Sequence, residues 1–149
     1  MRFAILPAAA LLAALLLIPA PAPGAPPEKP KATAFDGLGK HTRKVATKSA
    51  DAQKFFDQGL NFMFAFNHDE AVRGFRRAAE LDPDCAMAYW GAALASGVNY
   101  NDPRFPPEKA KAAFESLKLA RAKADGESDA NRALIEALSA RYADPLPDD

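Results

Sequence analysis

The chain has one cysteine, two histidines and one tryptophan among 149 residues, and each scarcity removes a class of chemistry. A lone thiol, Cys85, closes no internal disulfide, so the fold must rest on its apolar core even in an oxidising compartment. His41 and His68 are the only imidazoles. No second histidine lies at helical spacing from either, and no zinc ligand set or c-type haem attachment motif is present. Phosphate-cradling glycine loops and nucleophile elbows are also missing. The 19 basic and 19 acidic residues cancel, so the chain lacks the excess positive charge of a general nucleic-acid binder. No stretch alternates apolar and polar residues well enough for a strand, which leaves an all-α reading.

What is present begins with an apolar start. Met1 to Ala20 carries a single basic residue, Arg2, and Ala8 to Ile18 has no polar side chain. That length suits a signal peptide and is short for a membrane span. Ala22 and Gly24 supply the small residues that cleavage wants, so residues 1–24 read as a signal peptide and Ala25 as the mature N-terminus. No cysteine lies near the site to take a lipid anchor. The expectation is export to the periplasm or beyond the cell, with no stable membrane span after cleavage. An uncleaved N-terminal anchor is the alternative. Residues 25–48 are rich in Pro, Lys, Gly and Thr and are locally basic through Lys29, Lys31, Lys40, Arg43, Lys44 and Lys48. They read as a flexible, solvated linker.

Helical periodicity starts at Ser49, a capping residue followed by Phe55, Phe56, Gly59, Leu60, Phe62 and Met63. "NHDE" caps a second helix at Asn67, with Ala71, Phe75, Ala78 and Ala79 on one face. "LDPD" predicts Asp82 as the cap and Pro83 as the first residue of a third helix reaching Ser96. Pro107 opens a fourth helix carrying Ala110, Ala113, Phe114, Leu117 and Ala120. Ser128 caps a fifth, with a stripe of Leu134, Ile135, Leu138 and Tyr142.

Phe55, Gly59, Phe62, Ala71, Phe75, Ala78 and Pro83 follow the spacing of a 34-residue helix–turn–helix unit, and the chain resembles the tetratricopeptide repeat family. Unit 1 spans about 52–85 and unit 2 about 86–124, where Tyr89, Ala93, Ala110, Phe114 and Leu117 repeat the pattern around a five-residue loop insertion. A partial third unit covers about 128–142. In such units Gly59 and Ala71 mark the closest approach of two helices. The phrases "TKSADAQKFFDQGL" and "FNHDEAVRGFRRAAELDPDCAMAYWG", followed by Gly97, Asn99 and Asn101, also resemble a subfamily of exported bacterial tetratricopeptide proteins. That resemblance implies fold and export and no activity. Members often carry a histidine cluster ahead of "TKS", where this chain has only His41.

Cys85 opens a helix, where the macrodipole favours a thiolate, but Asp82 and Asp84 oppose an anion there. His68 lies about 20 Å of helix rise away. A buried structural thiol is therefore the expectation, and a redox or metal module using Cys85 or His68 is the alternative. Tyr89 and Trp90 point about 100° apart on a helix, so packing roles are expected for both. Partner-facing candidates are Gln53, Gln58 and Asn61 on the first helix, and the outer side of Tyr89 to Ser96. In the insertion after Ser96 they are Asn99, Tyr100, Asn101, Asp102, Arg104 and Phe105, because long loops in compact arrays often carry function.

These features together predict an exported α-solenoid scaffold of about two and a half units. It binds a protein or peptide without catalysis, cofactor or metal. An envelope spacer is the second alternative. The fifth-helix stripe, with no partner helix behind it, marks a fragment of a longer array or a self-association surface.

Overall fold

The computed structural model describes residues 32–142. The expected signal peptide, the first part of the linker and the closing "DPLPDD" lie outside them. The protein is all-α, with five helices packed in sequential antiparallel pairs. They are α1 (Ala50–Phe64), α2 (His68–Leu81), α3 (Ala86–Ser96), α4 (Pro107–Ala122) and α5 (Asp129–Ser139), with a 3₁₀ turn over Ala124–Gly126 before α5.

Local chemistry accounts for most of the boundaries. Ser49, Asn67 and Ser128 each cap a helix, their side-chain oxygens accepting from the N–H of Ala52, Glu70 and Asn131. Pro107 sits where a missing N–H costs nothing. The α1–α2 turn is the exception. Phe66 takes a left-handed φ of 59°, a position usually given to glycine, while the N–H of Asn67 closes the turn on the carbonyl of Phe62 at 2.9 Å.

The start of α3 differs from expectation. Asp82 ends α2, and Cys85 is the cap of α3. Asp82 instead builds the turn: its carboxylate accepts from the Asp84 N–H at 3.1 Å, and its carbonyl accepts from the Cys85 N–H at 3.1 Å. Pro83 therefore lies in the turn and not in the helix.

α3 is the centre of the molecule and touches all four other helices. Eight of its 11 residues are buried, and Tyr89, Leu94 and Ser96 are half-buried. A helix apolar on all sides belongs inside, so the outer side expected of Tyr89 to Ser96 does not exist. Small residues allow the close packing. The Phe75 ring lies between two helix backbones: a Cβ on Gly59 of α1 would fall 2.8 Å from it, and one on Gly91 of α3 would fall 2.4 Å away. α1 and α2 meet at Gly59 and Gly74, where a Cβ on Gly74 would approach the Gly59 backbone to 3.1 Å. The tightest α1–α2 contact is thus Gly59 with Gly74, beside the buried Ala71. Phe56 completes this core, its ring 5.4 Å from that of Phe75.

The α5 stripe is also buried within the chain. Ile135, Leu138 and Tyr142 are buried, the indole N–H of Trp90 donates to the Leu134 carbonyl at 3.1 Å, and Tyr142 packs on Phe105. It does not offer the open apolar seam expected for self-association.

Candidate extended-segment site on α1

α1 carries a polar stripe, Gln53, Asp57 and Asn61, at four-residue spacing, with Gln58 beside it. Four residues return a helix to nearly the same face, so these side chains form one ladder. Residues 33–46 lie along it. The described part of the expected linker is therefore a docked arm, because its main chain finds partners on α1.

Two glutamines use the same device. The Gln58 carboxamide donates to the Thr33 carbonyl at 2.8 Å and accepts from the Phe35 N–H at 2.9 Å. The Gln53 carboxamide donates to the Arg43 carbonyl at 2.9 Å and accepts from the Val45 N–H at 3.2 Å. Each thus pairs with the C=O of one residue and the N–H of the residue two positions later. In an extended chain these groups lie on one edge, so a carboxamide can bridge them much as a neighbouring strand would.

The other rungs act alike. Asp57 accepts from the Arg43 N–H at 3.0 Å and from the Thr42 hydroxyl at 2.7 Å, and Asn61 donates to the His41 carbonyl at 3.0 Å. Between the two clamps the arm bends at Gly37 and Gly39, with φ of 80° and 100°, conformations that glycine adopts without a Cβ clash. An open cleft of about 490 Å³ remains between this bend and α1.

The arm's far end is tied to the second half of the molecule. The Arg43 guanidinium donates twice to Asn131 Oδ1, at 2.9 and 2.7 Å. The Asn131 amide donates to Glu127 at 2.8 Å, and Glu127 accepts from the Ala46 N–H at 3.2 Å. The arm covers these two groups, which are only 5% and 3% exposed for Glu127 and Asn131. Thr47 then donates to Asp82, which holds that carboxyl below its ordinary range, with the Asp84 and Lys48 N–H groups adding to the effect against the opposing desolvation.

Side-chain anchoring is sparse. Val45 is buried, and Phe35 packs edge-on against Phe62 at 5.5 Å while remaining exposed. Each neutral hydrogen bond contributes about 1 kcal/mol net, whereas ordering each residue's backbone costs about 1–2 kcal/mol. Such an arm is held near balance.

All three first-helix candidates, Gln53, Gln58 and Asn61, therefore come together, and all three hold the protein's own chain. The loop candidates behave differently. Asn99 and Asp102 pair across a tight turn through main-chain bonds of 3.1 and 3.2 Å, and Asn99 Oδ1 accepts from the Asn101 N–H at 3.0 Å. The Arg104 guanidinium donates to Asp102 at 2.8 Å. Phe105 turns inward, its ring 5.2 Å from that of Tyr142. Tyr100, 97% exposed, stands free.

The Cys85 thiol is fully buried, and desolvation, with Glu127 and Asp82 adding to it, pushes it up to about 11. It is a neutral packing group at physiological pH. The His68 ring lies edge-on to Phe66 at 6.3 Å. Among the described residues no three His, Cys, Asp or Glu side chains converge as metal ligands, and no helix is long and apolar enough to cross a membrane.

Arg43, Asp57, Glu127 and Asn131 belong to the site but were not singled out from sequence. The Gln53–Asp57–Asn61 spacing is a readable signal for Asp57. Arg43 and Asn131 are 88 positions apart, and no local pattern links them. Comparison with protein-family models, with curated proteins and with solved structures returned no match.

Proposed function

We propose that the chain is an exported binding scaffold of tetratricopeptide-like helix pairs, about two and a half units long, which holds an extended polypeptide and catalyses no reaction. The units are α1–α2, α3–α4 and α5. One observation carries the reading: Gln53 and Gln58 engage extended main chain in the same register, two residues apart. Main-chain bonds give affinity for an extended segment whatever its sequence, and alternate side chains give selectivity. The buried, neutral Cys85 supports a packing role for the one thiol. The apolar start supports export to the periplasm or outside the cell.

Capture from cell-envelope extract with the full chain as bait tests the proposal. It predicts a saturable polypeptide partner, lost with Gln58→Ala and retained with Cys85→Ser. Loss on Cys85→Ser, or a purified bait carrying stoichiometric metal, would favour a redox or metal module. No saturable partner would favour a spacer.

A further inference from the structure

We infer that residues 33–46 are a displaceable occupant of the α1 site, standing in for an extended partner segment with an arginine two residues before a β-branched aliphatic residue. The inference rests on the binding reading above and adds the partner's chemistry and its competitor.

The surface beneath the arm indicates displacement. It is built from Gln53, Asp57, Gln58, Asn61, Glu127 and Asn131, all of which water can solvate when the arm leaves. A permanent structural segment would cover apolar surface instead. The arm itself is exposed at residues 33–37 and 39–42, and Val45 is its only buried apolar side chain. Its bend at Gly37 and Gly39 makes few contacts: a Cβ on Gly37 would meet nothing within 4 Å.

The side chains that are gripped define the partner. Arg43 places its planar guanidinium on Asn131, which is backed by the Glu127 carboxylate. A fork of N–H donors suits this acceptor better than an ammonium does. Val45 fills the apolar position two residues on. Both belong to the register set by Gln53, so an incoming Arg-x-Val segment repeats every contact the arm makes there. Phe35 against Phe62 adds an aromatic preference at the other clamp.

The test uses the full chain and a fluorescein-labelled peptide of residues 32–46, followed by anisotropy. A cis occupant lowers apparent affinity by the fraction of sites it leaves open. Phe35→Ala combined with Arg43→Ala loosens the arm without altering α1. The double variant is expected to bind the peptide roughly tenfold or more tightly than wild type. Adding Gln53→Ala abolishes that binding, and replacing the peptide's arginine by alanine weakens it. A second readout needs no variant: excess peptide speeds amide exchange at Phe35, Arg43 and Val45 of the wild-type chain. Equal affinity for wild type and a folded double variant, or unchanged exchange, overturns the inference. If it fails while the wild-type chain still captures a saturable envelope partner, the scaffold reading stands without the arm's role. If capture fails as well, both fall.

Discussion

Replacing Gly91 by alanine tests the packing that holds α1 and α3 around α2. The added Cβ would lie 2.4, 2.5 and 2.7 Å from Cδ1, Cε1 and Cγ of Phe75. Comfortable carbon contacts are about 3.5–4.0 Å, so the ring or a helix must move by about 1 Å. The ring has little room, because it is fully buried and Gly59 approaches the same Cδ1 and Cε1 atoms from α1. Overpacking costs about 1–3 kcal/mol, and the trapped ring argues for the upper end. Alanine returns up to about 1 kcal/mol of helix propensity. The net expectation is a loss of about 2 kcal/mol, or roughly 10 °C in Tm at this chain size. Urea and thermal unfolding followed by far-UV circular dichroism measure it. Phe75→Leu removes the ring, and in that background Gly91→Ala should cost almost nothing, giving a coupling of about 2 kcal/mol in a double-mutant cycle. A Gly91→Ala protein as stable as wild type, or equal costs in both backgrounds, would refute the packing argument.

Three further outcomes follow from the geometry. Phe66→Gly should stabilise the protein by about 1 kcal/mol in urea unfolding, since it relieves a left-handed phenylalanine at φ 59° that is 65% exposed. The Cys85 thiol, pushed up from 9.0 to about 11, keeps its proton in the folded state after the unfolded thiol has released it. Stability is therefore complete below pH 9 and falls towards pH 11 by about 3 kcal/mol at most, and Cys85→Ala should flatten that slope. Tyr142, raised by burial against the opposing charge of Arg141, adds a decline in the same direction that the variant keeps. Thr47→Val removes the largest cause of the lowered Asp82 carboxyl, so that group should titrate higher by carboxyl NMR. Because a lowered carboxyl stabilises above its unfolded value and loses the contribution as pH falls, the variant should lose less stability in acid than wild type.

The helices were legible because their signals are local: Ser49, Asn67, Pro107 and Ser128 act through the next few residues, and all four mark helix starts in the structure. "LDPD" misled for the same reason. Asp-Pro is good chemistry for a helix start and for a tight turn, and only the position of Cys85 between α2 and α3 decides which forms. Gly91 gave no sign of its role, since its constraint is a ring from another helix. The candidate site was half legible. Gln53, Gln58 and Asn61 could be picked out as polar positions on a helix otherwise facing a core. What they hold could not, because a Pro- and Lys-rich composition describes the arm's solubility and says nothing of side chains waiting 10 to 88 positions away.

The central claim is that α1 binds extended polypeptide through its carboxamides. NMR titration of the ¹⁵N-labelled full chain with the 32–46 peptide tests it most directly. The account predicts saturable, concerted shifts of the side-chain amides of Gln53, Gln58 and Asn61 and of the N–H groups of Phe35, Arg43 and Val45, while α3 stays unmoved. Shifts confined to the loop around Tyr100, or no saturable shift at those six groups, would contradict it.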